Sequence, residues 1–307
     1  MVLVTRICET ENPFYIRGLE KRYMKKRIAD LHLHSIRSDG SWTEEELLAE
    51  LRKRGITVFS LTDHDTIAGI ARMEEIVPED MRFIRGIEFS AVSLAGKCHI
   101  LGYGYDPSSP EFLAAIEEGR HLREEKFRKR LNHLKEWHDI ELSEEELRKL
   151  SELTTVGKPH LARILMERGL AGSVKEAIEQ YIDDHGGKDS GDARISAETA
   201  ISAIIAAGGI PVWAHPLGGE GERHLAEDEF HEQLQTLCRF GLKGLECFYS
   251  RYTEAEERFL LENAQERGLY VSGGSDCHGT NKNIAPGEER ADKMPADSAL
   301  LTILEKL

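Results

Sequence analysis

The sequence has no cysteine pair at metal or redox spacing, no long apolar run and no excess of positive charge. Its five cysteines, Cys8, Cys98, Cys238, Cys247 and Cys277, are odd in number and scattered. That excludes a disulfide framework and a thiolate zinc finger, and points to reduced thiols in a cytoplasm. No apolar stretch approaches the roughly 20 residues needed to cross a bilayer. Residues 1–27 carry neither the apolar segment nor the small-residue cleavage site of a secretory signal. They are expected to form an extension, with Met24 as an alternative start. Lys and Arg number 40 against 55 Asp and Glu, a net charge of −15. Duplex nucleic acid is a poor partner for that balance, although a local basic pocket for a small anion is compatible with it. No G-x-S-x-G supplies a hydrolase serine, His231-Glu232 lacks the second histidine of H-E-x-x-H, and Gly218-Gly219-Glu220-Gly221 lacks the Lys-Ser/Thr of a phosphate cradle.

What is present is ample apolar content, 40% of 307 residues, and a regular pattern from residue 28 onward. Residues 28–34 alternate as a strand, with Leu31 and Leu33 on one face and His32 and His34 on the other. Thr43 is placed to cap a helix that begins Glu44-Glu45-Glu46, buries Leu47, Leu48 and Leu51 and stops at Gly55. Residues 57–62, 83–92 and 99–105 read as further strands, with a helix at 67–76 and a Gly96 turn. Residues 110–151 form a long charged helical stretch, followed by helices at 159–168 and 174–184, and no strand is expected between 107 and 194. Alternation resumes with strands at 210–215, 244–249 and 269–274 and helices at 197–207, 230–240 and 254–267. Repeated βα units imply an α/β protein with a parallel sheet, interrupted after the fourth strand by a helical insertion.

Potential metal ligands fall at the expected strand ends: His32, His34 and Asp39; His64 within Asp63-His64-Asp65; Glu88; His99; His215; and Asp276 with His278. In a parallel βα array those ends form one rim, so residues distant in sequence can meet there. His32 and His34, two apart on a strand, leave the same face and can grip one cation. Asp276 and His278 repeat that device if the last strand extends so far, with Cys277 turned away. Asp65 is assigned instead as the cap of the following helix. Imidazoles and carboxylates without thiolate suit Mn²⁺, Fe²⁺ or Zn²⁺. Six histidines, two aspartates and one glutamate exceed the needs of one ion, and two or three ions sharing carboxylates would use them all.

These residues carry a resemblance. His32-Leu33-His34-Ser35 with Ser38-Asp39-Gly40, Thr62-Asp63-His64-Asp65-Thr66, Gly86-Ile87-Glu88, His99-Ile100-Leu101-Gly102-Tyr103, Ala214-His215-Pro216 and Gly274-Ser275-Asp276-Cys277-His278 resemble the PHP (polymerase and histidinol phosphatase) family. The match is to its stand-alone phosphoesterases, similar to nucleoside bisphosphate phosphatases and to the phosphoribosyl cyclic phosphate phosphodiesterase. The resemblance implies a distorted (β/α)₇ barrel at residues 28–106 and 195–285, an all-helical insertion domain at 107–194 that recognises substrate, and a C-terminal segment at 286–307. It implies a centre of two to three divalent ions, manganese first, with iron or zinc as alternatives. Its ligands would be His32, His34, Asp39, His64, Glu88, His99, His215, Asp276 and His278, with Glu88 and Asp276 shared between ions. Asp276, His215 and Asp63 take the catalytic roles, Asp63 by orienting a histidine.

Phosphoester hydrolysis then needs no protein nucleophile, because a hydroxide held between two cations forms near neutral pH. A second substrate phosphate is assigned to the insertion. Arg123, Lys126 and Arg130 share a helical face at i, i+3 and i+7. Val156-Gly157-Lys158-Pro159-His160 opens a helix whose free N–H groups favour an anion, so Lys158 and His160 join the substrate-binding set. In the bisphosphate phosphatases this motif more usually reads Gly-Arg-Pro-His. Lys158 keeps the charge without the bidentate fork of Arg. The expected reaction is loss of the 3′-phosphate from a nucleoside 3′,5′-bisphosphate, and the alternative is hydrolysis of a phosphoribosyl 1,2-cyclic phosphate. Below these stand histidinol phosphatase, 5′–3′ exonuclease action on short oligonucleotides and a non-catalytic metal-binding module. The expected partner is a small phosphorylated metabolite or nucleotide in the cytoplasm, with neither duplex nucleic acid nor membrane.

Overall fold

A computed structural model of the protein describes residues 28–151, 156–185, 194–220 and 223–307. The expected extension at residues 1–27, Cys8 and Gly221 lie outside the described residues. Eight strands form one sheet: β1 (Ile28–Asp30), β2 (Ile56–Leu61), β3 (Arg82–Ser93), β4 (Gly96–Tyr103), β5 (Ile195–Ser196), β6 (Ile210–Trp213), β7 (Gly244–Tyr249) and β8 (Tyr270–Gly274). Their order is β1-β2-β3-β4-β6-β7-β8, with β5 against β3.

The expected parallel array is broken at its centre. β1/β2, β2/β3, β6/β7 and β7/β8 are parallel, whereas β4 runs antiparallel to both β3 and β6. The cause lies in the turn: only Leu94 and Ala95 separate β3 from β4, far too few for the crossover that parallel neighbours require. Gly96, at φ 136°, completes that turn. Beyond the first and last strands the chain pairs again. Leu31 N donates to the Gly273 carbonyl (3.2 Å), Asp276 N to the His32 carbonyl (2.9 Å) and His34 N to the Cys277 carbonyl (3.0 Å).

Local signals set the helices around this sheet. In α1 (Glu44–Arg54), Thr43 and Glu46 form a capping box and Gly55 ends the helix at φ 73°. Burial of Leu47 and Leu51 contributes about 1.5–3 kcal/mol each, so the apolar face outweighs the roughly 1 kcal/mol of the cap. α2 (Ile70–Ile76) begins later than expected, after Gly69 and without a side-chain cap, so Asp65 does not cap it. The single stretch expected at 110–151 is two helices, α3 (Pro110–His138) and α4 (Glu144–Ser151), because Asp139 turns left-handed at φ 53°. α5 (Lys158–Glu167) carries Pro in its first turn, and α6 (Val174–Ala177) runs into a π-helical turn at Ile178–Ile182. α7 (Ala197–Ala206), α8 (Glu227–Phe240) and α9 (Glu254–Arg267) complete the set.

Among the described residues no strand lies between 107 and 194, and no helix is long and apolar enough to cross a membrane. Leu134, Leu150, Leu161, Leu165 and Ile182 form an apolar cluster apart from the sheet's own core. Gly86 marks a tight contact within the sheet: a Cβ there would lie 2.1 Å from Ser60 Oγ and 2.7 Å from the Leu61 carbonyl. Backbone on one side cannot yield. Gly86→Ala is expected to lower stability by about 1–3 kcal/mol, read from the midpoint of urea denaturation; an unchanged midpoint would contradict this packing.

Candidate metal centre

The strand ends aim the polar side chains inward by two local devices. The first is continued alternation. β1 ends at Asp30, but the pairing of residues 31–34 with 273–277 keeps the chain extended. Leu31 therefore enters the main core and Leu33 the smaller one beside α1, while His32 and His34 face each other with ring centroids 5.2 Å apart. The second is a left-handed residue at a strand end. Asp65 (φ 52°), His215 (φ 29°) and Asp276 (φ 58°) adopt this costly conformation, of order 1–3 kcal/mol each. Each is held by its own backbone N–H, donated to the Glu88 carbonyl (3.0 Å), to Glu246 Oε2 (2.6 Å) and to the His32 carbonyl (2.9 Å) respectively.

The strand expected at 269–274 is present as β8, and it does not run on to Asp276 and His278. β8 stops at Gly274, where a Cβ would lie 2.3 Å from His32 Cβ, and the turn at Asp276 re-aims the chain. Cys277 does point away, buried beside Leu33 with its thiol pushed up to about 12 by burial.

All nine candidate ligands converge on the Glu88 carboxylate and its neighbours. Glu88 Oε2 lies 3.2 Å from His32 Nε2, 3.2 Å from His34 Nε2 and 3.1 Å from His64 Nδ1. Its Oε1 lies 2.9 Å from His99 Nδ1 and 3.2 Å from His215 Nε2. Asp276 Oδ1 is 3.3 Å from His34 Nε2 and 3.4 Å from His278 Nδ1, and Asp39 Oδ1 is 3.1 Å from His278 Nε2. Three overlapping sets result: His34, Asp39, His64 and His278; His32, His34, Glu88 and Asp276; and His64, Glu88 and His99.

The donors fit divalent cations on a specific observation. His32 Nε2, His34 Nε2, His64 Nδ1 and Glu88 Oε2 are buried without a hydrogen-bond partner. One such orphan costs about 1–3 kcal/mol, and four aimed at one place are satisfied together by cations. The outer contacts set the tautomers this requires. His32 Nδ1–H donates to Glu246 (2.9 Å) and His278 Nδ1–H to the Asp276 carbonyl (2.9 Å), leaving each Nε2 lone pair facing the centre.

The titration of these groups follows from their packing. Burial disfavours ionised Glu88, but the imidazoles around it, His64 first, hold it well below the usual carboxylate range. Burial also opposes charge on His34, yet Asp276 and Glu88 raise it to about 9. His32 is raised by Glu246 and Glu88 against its burial, whereas burial pushes His64 and His278 down.

Several neighbours escaped the sequence reading. Glu246 is a fully buried acid on β7; its signal was a lone charge in an otherwise apolar strand. Arg194 Nη1 donates to His99 Nε2 (3.0 Å), Lys282 Nζ to Asp276 Oδ2 (2.7 Å) and the Tyr249 hydroxyl to the same oxygen (3.1 Å). Among the described residues Asp63 makes no hydrogen bond to a histidine. It accepts from Ser35 N, Ser35 Oγ and Ser38 Oγ, and Ser38 Oγ is 3.4 Å from His34 Nδ1, so it acts on the His34 turn through the serines. Asp65 accepts from Ser90 N (2.9 Å) and pairs with the Arg123 guanidinium, which anchors α3 to the sheet.

A cavity of about 630 Å³ opens beside the centre. Asp39, His64, His99 and His215 line it together with the basic Lys97, Arg123, Lys126, Arg130, Lys158, Arg194 and Arg223 and the acidic Glu220. Lys158 is paired with Asp183 (2.6 Å), and burial together with Arg123 lowers Arg130 to about 10. His160 is not in the wall: its Nδ1 accepts from Gly157 N (3.0 Å) and caps the start of α5, which presents Lys158.

A buried nest of imidazoles and carboxylates opening onto a basic cavity defines a metal-dependent hydrolase of phosphoesters. The comparisons agree. The chain is 30% identical over 257 residues to the phosphoribosyl 1,2-cyclic phosphate 1,2-diphosphodiesterase of Eggerthella lenta, covering 82% of this chain and 94% of that protein. It is 27% identical to the 3′,5′-nucleoside bisphosphate phosphatase of Chromobacterium violaceum (86% and 89% covered) and 32% identical to a 5′-3′ exoribonuclease of Haemophilus influenzae (81% and 89% covered). A crystal structure from Bifidobacterium adolescentis, assigned as a metal-dependent phosphoesterase, superposes with a TM-score of 0.75 at 26% identity over 91% of this chain and 96% of that one. No family model matches. The chain belongs to the PHP family of metal-dependent phosphoesterases.

A pH dependence follows for protein stripped of metal by a chelator. His34, with a folded pKa near 9 against an ordinary 6.5, contributes stability that is fully present below pH 6.5. It is lost as the pH rises through 9, while the depressed His64 and His278 act only below 6.5. The melting temperature in chelator should therefore fall between pH 6.5 and 9, and added metal should remove that slope. A flat profile in chelator would contradict the assignment.

Proposed function

We propose that the protein breaks the P–O3′ bond of a ribonucleotide carrying a 5′-phosphate, with a nucleoside 3′,5′-bisphosphate as substrate. One observation carries this reading: four of the candidate ligands and seven basic side chains line a single cavity. A substrate with two phosphates can place one at the centre and the other on Arg123, Lys126, Arg130, Lys158 and Arg194. An acidic protein that gathers these cations around one cavity provides charge-assisted recognition of an anion.

Divalent ions held by His32, His34, Asp39, His64, Glu88, His99, His215, Asp276 and His278 would supply Lewis acidity and an activated water, with manganese preferred over iron or zinc. The chain's own groups do the rest. Asp276 and His215 hold their positions through strained strand ends, and Asp63 fixes the turn after His34. Arg123, itself fixed by Asp65 and Ser90, orients the second phosphate. The same reading takes the sheet as a distorted (β/α)₇ barrel at 28–106 and 195–285. Residues 107–194 form its helical insertion and 286–307 its C-terminal segment. The hydrogen bonds between 31–34 and 273–277, and the separate apolar cluster around Leu134 and Leu161, support that division.

Two relatives bear on the range of substrates. The exoribonuclease of Haemophilus influenzae matches over 89% of its length, and release of a 5′-nucleotide from RNA breaks the same P–O3′ bond, so short 5′-phosphorylated oligonucleotides fit the proposal as partners. The Eggerthella lenta enzyme, matched over 94% of its length, favours a second reading in which a cyclic ribose phosphodiester occupies the centre.

Manganese-loaded protein should release phosphate from 3′-phosphoadenosine 5′-phosphate and leave AMP intact. Cleavage of the cyclic diester alone, by protein shown to carry its metals, would transfer the assignment to the second reading. Asp276→Asn is expected to lower kcat by about 10²–10³-fold with a nearly unchanged melting temperature. Full turnover with metal still bound would contradict the proposed centre. Arg123→Ala should raise KM about tenfold or more, the equivalent of one charge-assisted hydrogen bond.

A further inference from the structure

We infer that the helical segment carries a second metal site, separate from the Glu88 centre and formed by His133, His138 and Asp184, that binds zinc. His133 and His138 lie on the last two turns of α3, His133 about three turns beyond Arg123 and so roughly 15 Å further along the helix. Asp184 follows the π-helical turn Ile178–Ile182 and enters between the two rings. Its Oδ1 is 2.8 Å from His133 Nε2 and its Oδ2 is 2.9 Å from His138 Nε2. One ligand atom from each of the three residues lies within 4.8 Å of the other two.

A hydrogen-bonded His–Asp–His cluster accounts for only half of this arrangement. His133 Nε2 is in hydrogen-bond geometry with Asp184. His138 Nε2 is enclosed, approaches Asp184 too obliquely for a hydrogen bond and has no other partner. A cation between the three groups satisfies that atom. Two imidazoles and a carboxylate, without thiolate, are a borderline donor set of the kind zinc takes with three protein ligands.

A fourth donor stands close. His185 Nε2 is 3.6 Å from Asp184 Oδ2, and its ring is stacked on Trp137 with centroids 4.5 Å apart and planes 9° from parallel. His185 reaches this place with a left-handed backbone (φ 42°), an uncommon conformation outside glycine. The site also borders the cavity wall in sequence. Asp183, next to Asp184, holds Lys158. An ion at Asp184 would therefore tie the end of α3 to the turn that positions Lys158.

The test is metal content of the full chain after zinc loading and removal of free ion. The Glu88 centre is the same in wild type, His138→Gln and Asp184→Asn, so any difference reports the second site alone. Each variant should hold one zinc fewer per chain, and added zinc should raise the melting temperature of the wild type by more than that of either variant. Equal zinc content in wild type and a folded Asp184→Asn, which preserves side-chain shape, would overturn the inference even if His138→Gln failed to fold. Cobalt loading gives a second readout. Intense visible absorption of tetrahedral cobalt should weaken in the variants, and an unchanged spectrum would equally overturn the site.

Discussion

The centre depends on one buried carboxylate. Glu88 is almost wholly enclosed, and a lone ion there would cost several kcal/mol in desolvation. It remains ionised because five imidazoles, from His32, His34, His64, His99 and His215, stand within 3.2 Å of its two oxygens. Those imidazoles come from β4 and from the turns that follow β1, β2 and β6, while Glu88 itself sits within β3. The same electrostatic requirement thus fixes where three strands must end and which residue of β4 must face the centre, and it creates the orphaned nitrogens that cations can satisfy.

Holding four chain segments on one carboxylate demands backbone conformations that strands do not ordinarily supply. His215 and Asp276 turn left-handed where their strands finish, and Gly274 admits His32 at a distance no side chain would allow. Beneath them, buried acids act as fasteners. Asp30 accepts from Ser275 N, Ser275 Oγ and Gly287 N, which ties the last strand and the C-terminal segment to β1. Glu246 joins the His32 ring to the His215 backbone. The local cost of the centre is offset by a lattice of hydrogen bonds that no single segment could make alone.

The electrostatics of the whole chain and of the cavity run in opposite directions. A net charge of −15 repels polyanions at long range, while Arg123, Lys126, Arg130, Lys158 and Arg194 gather positive charge around the cavity. Such an arrangement favours a compact anion, or the free end of a single strand, over a duplex. Arg130, lowered to about 10 by burial first and then by Arg123 and Arg194, gains from any anion that enters. Candidate metal ligands and basic side chains therefore share one cavity.

Much of this was legible in the sequence because its signals are local. The Thr43–Glu46 capping box, Gly55, the limits of β7 and α9, and the alternation that sends Leu31 and Leu33 one way and His32 and His34 the other depend on residues within a few positions of each other. The ligand candidates were legible too, since histidines and acids at successive strand ends have little other reason to recur. What only the tertiary structure decided was direction and pairing. The two-residue turn at Leu94 and Ala95 reverses β4, and a left-handed turn at Asp276, not strand alternation, aims Asp276 and His278. Arg123 draws Asp65 away from a helix cap, and Asp63 grips serines rather than a ring. Arg194 gained its place through a contact across 95 residues, to His99, and Glu246 through one across 214, to His32, whereas Lys282 reaches Asp276 only 6 residues away because the chain turns there. Periodicity and capping are written along the chain, whereas a buried charge finds its partner only when distant strands are packed together.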